Sequence, residues 1–209
     1  MTARTVVTGA ATATTVLAAT VALTVASLGA ATAATAAPAP VAPKFLAAKE
    51  LPKSLTPWVA EQVRPGAADD FCTGKALPKA SSKHRVFRTE LDTGAEQTIT
   101  VAATEAKAKE LVTKARAAVA GCLDRLQQQY PGVRGETRYH GKLKVEEGAH
   151  VYSIDTADPG VGSTEIALYS VGRDGRTVTV VGWSQLGDLS GAPLSGFKKT
   201  ATTSVAKLY

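Results

Sequence analysis

The sequence predicts an α+β domain in which an antiparallel or mixed sheet of about six strands is packed by one long helix and a C-terminal helix, with one disulfide. Three observations predict it. A strand–turn–strand pattern over 85–103 runs directly into apolar residues spaced three and four apart over 104–130. Strand-like stretches then fill 135–183. Apolar residues finally return to helical spacing over 194–208.

The chain opens differently. "MTAR" supplies one basic residue, and a long charge-free stretch follows with its most apolar part at Val16–Leu28. Small residues then dominate, and "ATA" at Ala34–Ala36 has the form of a cleavage site. The stretch is long enough to cross a bilayer, but it runs into small residues instead of a basic flank. Residues 1–36 are therefore expected to be a removed signal peptide, leaving no transmembrane segment in the mature chain. Residues 37–44, "APAPVAPK", form an extended Pro/Ala spacer. Residues 45–209 have the length of one domain with a real core.

Within that domain, 45–72 scatters apolar residues between prolines, which predicts loops with short helical turns. One turn is expected to open at Pro57 and to dock Trp58, Val59 and Val63 on the main body. "RVFRTEL" and "QTITVAA" flank "DTGAE" and predict a hairpin, with Ile99, Val101 and Ala103 on one face. From Thr104 the stripe Ala108, Leu111, Val112, Ala115, Val119, Cys122, Leu123, Leu126 and Tyr130 predicts a helix of about 26 residues. Thr104 is placed to cap it and Pro131-Gly132 to stop it. In "GETRYHGKLKV", Gly141 marks a bulge. "HVYSIDT" is a short strand, and "STEIALYSV" and "RTVTVVGW" pair through a tight turn at Asp174-Gly175. Leu194, Phe197, Ala201, Val205 and Leu208 predict the closing helix. Both helices are expected on one face of the sheet. The other face, with Ser170, Thr177 and Thr179, is then either solvated or the lining of a groove.

The two cysteines, Cys72 and Cys122, admit three readings. A metal site needs further ligands, and His84, His140 and His150 stand at no motif spacing from either cysteine. A thiol–disulfide centre is more typically a C-x-x-C at a helix start. An even count in an exported chain favours the third reading, a structural bridge. No metal and no cofactor are expected.

A formal net charge of +6 spread along the chain gives no basic patch, so nucleic acid is not an expected partner. No catalytic motif is complete. Ser153, His150 and Asp155 offer the residue types of a hydrolase, but G-x-S-x-G does not occur. "GVGS" at 160–163 lacks the lysine of a phosphate loop, and "EEGAH" is not a zinc motif. Trp183, at a strand end, together with Tyr139, Tyr152 and Tyr169 could line a cleft suited to a small ligand.

The order of features resembles the secreted sensor-like domains of actinobacteria, related to the extracellular sensor domain of PknH-type serine/threonine kinases. "FLAAKELP" with Trp58 downstream, a cysteine before the first hairpin, "AAVAGC" in the long helix, the hairpin "IALYSVGRDGRTVTVVGW" and Phe197 in the closing helix carry the resemblance over 45–209. It implies a mixed sheet with two helices around a cleft that binds an unidentified ligand without catalysis. Kinase-attached members have two disulfides, a kinase domain and a membrane segment. With cysteines for one bridge and neither other part, this chain is not expected to transduce a signal itself.

The expectation is therefore a secreted, monomeric, non-catalytic domain that binds a small molecule or a cell-envelope component. An envelope protein–protein or inhibitor module is the first alternative, and a secreted hydrolase the second.

Overall fold

The structure, a computed structural model, describes residues 41–209. The expected signal peptide and the first half of the spacer lie outside the described residues. Eight strands form one sheet in the order β1-β3-β4-β8-β7-β6-β5, with β2 also paired to β3, and every pairing is antiparallel. The strands are β1 Val59–Ala60, β2 Arg64–Pro65, β3 Ser82–Arg88, β4 Gly94–Val101, β5 Arg134–Leu143, β6 Ala149–Asp158, β7 Ser163–Asp174 and β8 Thr177–Leu186. Helices α1 (Glu105–Ala120) and α2 (Cys122–Gln129) carry the chain from β4 to the far edge at β5. A four-strand meander then returns, so that β8 closes against β4. Helix α3 (Leu194–Ala206) ends the domain.

Local signals act where the sequence placed them. Thr104 accepts the Lys107 amide and caps α1. Gly175, at φ 51°, makes the two-residue turn between Asp174 and Thr177. The β5–β6 register slips between Tyr139 and Lys142, around Gly141 at φ 95°.

The expected long helix is broken at Gly121 (φ −92°, ψ 12°). The apolar stripe runs on through Val119, Cys122 and Leu123, which hides the break from a reading of periodicity. Arg125 satisfies the carbonyls that the break exposes, donating to Gly121 O at 2.9 Å and Ala118 O at 2.6 Å. The turn expected at Pro57 is instead the short edge strand β1. Val59 and Val63 stay exposed, and only Trp58 is half-buried, its indole N–H donating to Pro52 O at 2.7 Å.

The helices do not share a face. α1 and α2 pack with the 67–77 loop on Tyr152, Ile154, Tyr169, Val171 and Val180. α3 packs with the 45–51 segment on Phe87, Val151, Leu168, Val181 and Trp183. A helical stripe demands a sheet face but does not say which one, and the 187–193 loop takes the chain across to the second. Both faces of the central strands are therefore covered, and Ser170, Thr177 and Thr179 are buried under α3 instead of forming a polar groove. Thr179 Oγ1 accepts from Gln97 Nε2 at 3.0 Å, and Thr177 bonds the Tyr209 hydroxyl. Among the described residues no helix is long and apolar enough to cross a membrane.

Candidate functional site

The bridge between Cys72 and Cys122, with Cα atoms 5.1 Å apart, fastens the irregular N-terminal segment to the start of α2. Arg125 reinforces the tie by donating to Cys72 O at 3.0 Å. Just ahead of the bridge the chain makes a tight turn. Gly74 N donates to Asp70 O, and a side chain at Gly74 would sit 2.7 Å from that oxygen, so glycine is required there. Asp70 Oδ1 accepts from the Thr73 amide at 2.5 Å and the Thr73 hydroxyl at 2.7 Å. The turn, the bridge and the arginine together hold one carboxylate at a fixed place over the sheet.

Beneath it lie Glu96 of β4 and Tyr169 of β7. Gly182 stands between them on β8, paired with both, and leaves the space that their side chains fill. The Tyr169 hydroxyl donates to Asp70 Oδ2 at 2.7 Å. Burial pushes Glu96 up to about 8, and the neighbouring Asp70 carboxylate adds to the shift by its charge and by accepting a hydrogen bond. Glu96 is thus a neutral acid at pH 7, donating to Asp70. Burial and the same carboxylate hold the Tyr169 phenol well above its ordinary range.

These groups line a cavity of about 280 Å³ together with Asp69, Phe71, Arg88 and Trp183. Gly94 borders it at the β3–β4 end, where an added side chain would meet open space. The cavity offers one fixed carboxylate, one carboxyl proton and an exposed aromatic ring at Phe71. That combination favours a ligand carrying an ammonium group or several hydroxyls.

The four aromatic residues expected to form one cleft are divided. Tyr139, Tyr152 and Tyr169 lie in a single cross-strand row on the α1 face. Trp183, one residue beyond Gly182, turns its ring into the α3-side core and only borders the cavity. Tyr169 is the member that reaches the cavity, while Tyr152 is buried under α1 and Tyr139 is half-exposed at the outer strand.

The hydrolase residues are divided too. Ser153 and Asp155 face the α3 side, whereas His150 faces the α1 side and bonds the Tyr139 hydroxyl through Nδ1 at 2.8 Å. Ser153 Oγ instead meets His140 Nε2 at 2.8 Å, but the serine is fully buried and has no path to a substrate. Asp155 is engaged by the Leu189 amide. Among the described residues no three His, Cys, Asp or Glu side chains converge to hold a metal ion.

Sequence reasoning missed Asp70, Glu96 and Arg125. The available signal for Asp70 was "DDFCTG", an Asx-turn composition beside the bridged cysteine. Fold and site define a disulfide-stapled antiparallel α+β domain with one small acidic cavity at a sheet end. No protein-family model, no curated protein and no solved structure matches this chain.

Proposed function

We propose that this chain is an exported, non-catalytic binding domain whose ligand is a small molecule or cell-envelope component that enters the Asp70–Glu96 cavity through an ammonium or hydroxyl group. The observation that carries this reading is the fixed Asp70 carboxylate, held by Tyr169, Thr73 and the neutral Glu96 at the wall of an open cavity. The resemblance to secreted sensor-like domains supports it from the sequence side. Titration of the ¹⁵N-labelled domain with glucosamine, N-acetylglucosamine and peptidoglycan fragments tests it. The expected result is shift changes confined to residues around 69–73, 94–97 and 182–184, lost in Glu96→Gln and blocked by Gly94→Trp. Absence of any such change with every probe at millimolar concentration would reject the cavity as the binding site.

A second reading, an envelope protein–protein module, is favoured by the exposed apolar residues at the same end of the sheet. Leu91 and Val161 sit on the β3–β4 and β6–β7 turns, Leu186 ends β8, and Leu55 is 93% exposed beside them. Pull-down by the wild-type domain but not by Leu91→Asp/Leu186→Asp, with an unaltered response to the small probes, would support that reading instead.

A further inference from the structure

At the other end of the tyrosine row, away from the acidic cavity, positive charge gathers without an acidic partner. Arg116 of α1 donates from Nε to the Tyr152 hydroxyl at 2.9 Å, and its guanidinium lies 5.9 Å from the centre of the Tyr139 ring. The Tyr139 and Tyr152 rings are themselves 5.0 Å apart, so the arginine is held on an aromatic platform. Tyr139 in turn bonds His150 Nδ1, with the two rings stacked at 6.0 Å. The stem of Lys142 lies across Gly148, which has no side chain to displace it. Among the described residues no carboxylate lies within 4.0 Å of Arg116 or Lys142. Glu147 of the adjoining turn is used elsewhere: it pairs with Arg173 at 3.1 Å and accepts the Gly175 amide.

Around His150, α1 brings Arg116, β5 brings Tyr139 and Lys142, β6 brings Tyr152, and β7 places apolar Val171 opposite. The Tyr139 hydroxyl engages Nδ1, and Nε2 has no partner among the described residues; in the protonated ring both nitrogens donate. Burial, then Arg116, then Lys142 hold the imidazole down to about 4, so it is neutral at pH 7. An anion between the two cations would offset the part of that depression that their charges cause.

We propose that Arg116, Lys142 and His150, on the Tyr139–Tyr152 platform, form a binding site for a doubly charged oxyanion such as a phosphate monoester. Arg116, held by Tyr152, and Lys142, beside Gly148, supply two positive charges, and the protonated His150 ring supplies an Nε2–H donor. Binding is coupled to protonation of His150, and the site is independent of the acidic cavity. A phosphate dianion in the environment of an exported protein comes either as the free ion or as a monoester group on an envelope polymer.

The test is an NMR titration of the His150 ring against pH with and without sodium sulfate, which stays a dianion across the range. Inorganic phosphate and a polysaccharide carrying phosphomonoester groups form further arms. The proposal expects sulfate to raise the His150 pKa by about one unit or more, with shift changes at Arg116, Tyr139 and Lys142. It expects Lys142→Gln, a change at an exposed side chain, to reduce the rise severalfold, and Arg116→Gln to abolish it. An equal rise in sodium chloride of matched ionic strength would overturn it, since screening alone would then explain the effect. So would no rise at all in the wild-type protein. Response to phosphate without response to the polymer assigns the free ion; response to both assigns the polymer's phosphate as a further ligand.

Discussion

Tyr169 donates its phenolic hydrogen to Asp70 Oδ2 at 2.7 Å, although 99 positions separate the two in the chain. The bond joins the disulfide-pinned loop to the central strand β7 over the cavity. Tyr169→Phe removes one donor from a half-buried acceptor that keeps Thr73 and Glu96. The expected loss is about 1–2 kcal/mol in urea unfolding, with faster amide exchange at Thr73. Unchanged exchange there would show that the turn and the bridge fix Asp70 without the tyrosine.

Glu96 gives stability a pH dependence whose sign follows from its raised pKa. Between its ordinary value of 4.5 and about 8, the folded chain keeps a proton that the unfolded chain has released. Stability therefore falls as pH rises through that window. His150 acts in the opposite sense: with a folded value of about 4 against 6.5, it makes stability rise as pH climbs between those values. The two slopes oppose each other below 6.5, and Glu96 alone of this pair acts from there to 8. Denaturation curves should show a decline in that upper range for the wild type and a flatter profile for Glu96→Gln. A Glu96→Gln profile that still declines as steeply would place the responsible group elsewhere.

Loss of the bridge should act on the site as well as on the fold. Closing a 50-residue loop is worth about 4 kcal/mol by chain entropy. Cys72→Ala/Cys122→Ala should lower stability by roughly 3–4 kcal/mol. Because Asp70 lies two residues before Cys72, the carboxylate should also drift from Glu96. The Glu96 pKa should then fall toward its ordinary range, measured by ¹³C NMR of the carboxyl. A destabilised variant with Glu96 still titrating near 8 would show that the turn alone places Asp70.

Much of this architecture was legible because its signals are local. The Thr104 cap, the Asp174-Gly175 turn and the Gly141 bulge depend on a few adjacent residues, and an even cysteine count after an expected signal peptide suggests a bridge. The helix break was hidden because Val119, Cys122 and Leu123 continue the stripe across Gly121. Placement of α1 and α3 on opposite faces was hidden because neither stripe names its face. The cavity was hidden for a different reason. The sequence places Glu96 in the turn "DTGAE", where a carboxylate reads as solvated, whereas in the structure it lies in β4 and a loop 26 residues away brings Asp70 down on it. Charge that looks exposed becomes a site only through a tertiary contact.

Gln97 shows the same effect on the α3 face and supports the last prediction. It is fully buried, its Oε1 accepting the Leu46 amide at 2.7 Å and its Nε2 donating to Thr179 at 3.0 Å. Leu46 is itself fully buried, its carbonyl accepting from Arg85 at 2.9 Å, so this glutamine is one of two side chains that fasten the 45–51 segment to the sheet. Gln97→Leu keeps the volume close but leaves the Leu46 N–H buried without an acceptor. The expected cost is about 1–3 kcal/mol, with exchange of the Leu46 amide accelerated far more than that of strand β7. Gln97→Glu restores the acceptor and should recover Leu46 protection, with the Thr179 hydroxyl turned to donate. Equal protection of Leu46 in all three proteins would show that apolar packing and Arg85, and not the glutamine, hold the segment in place.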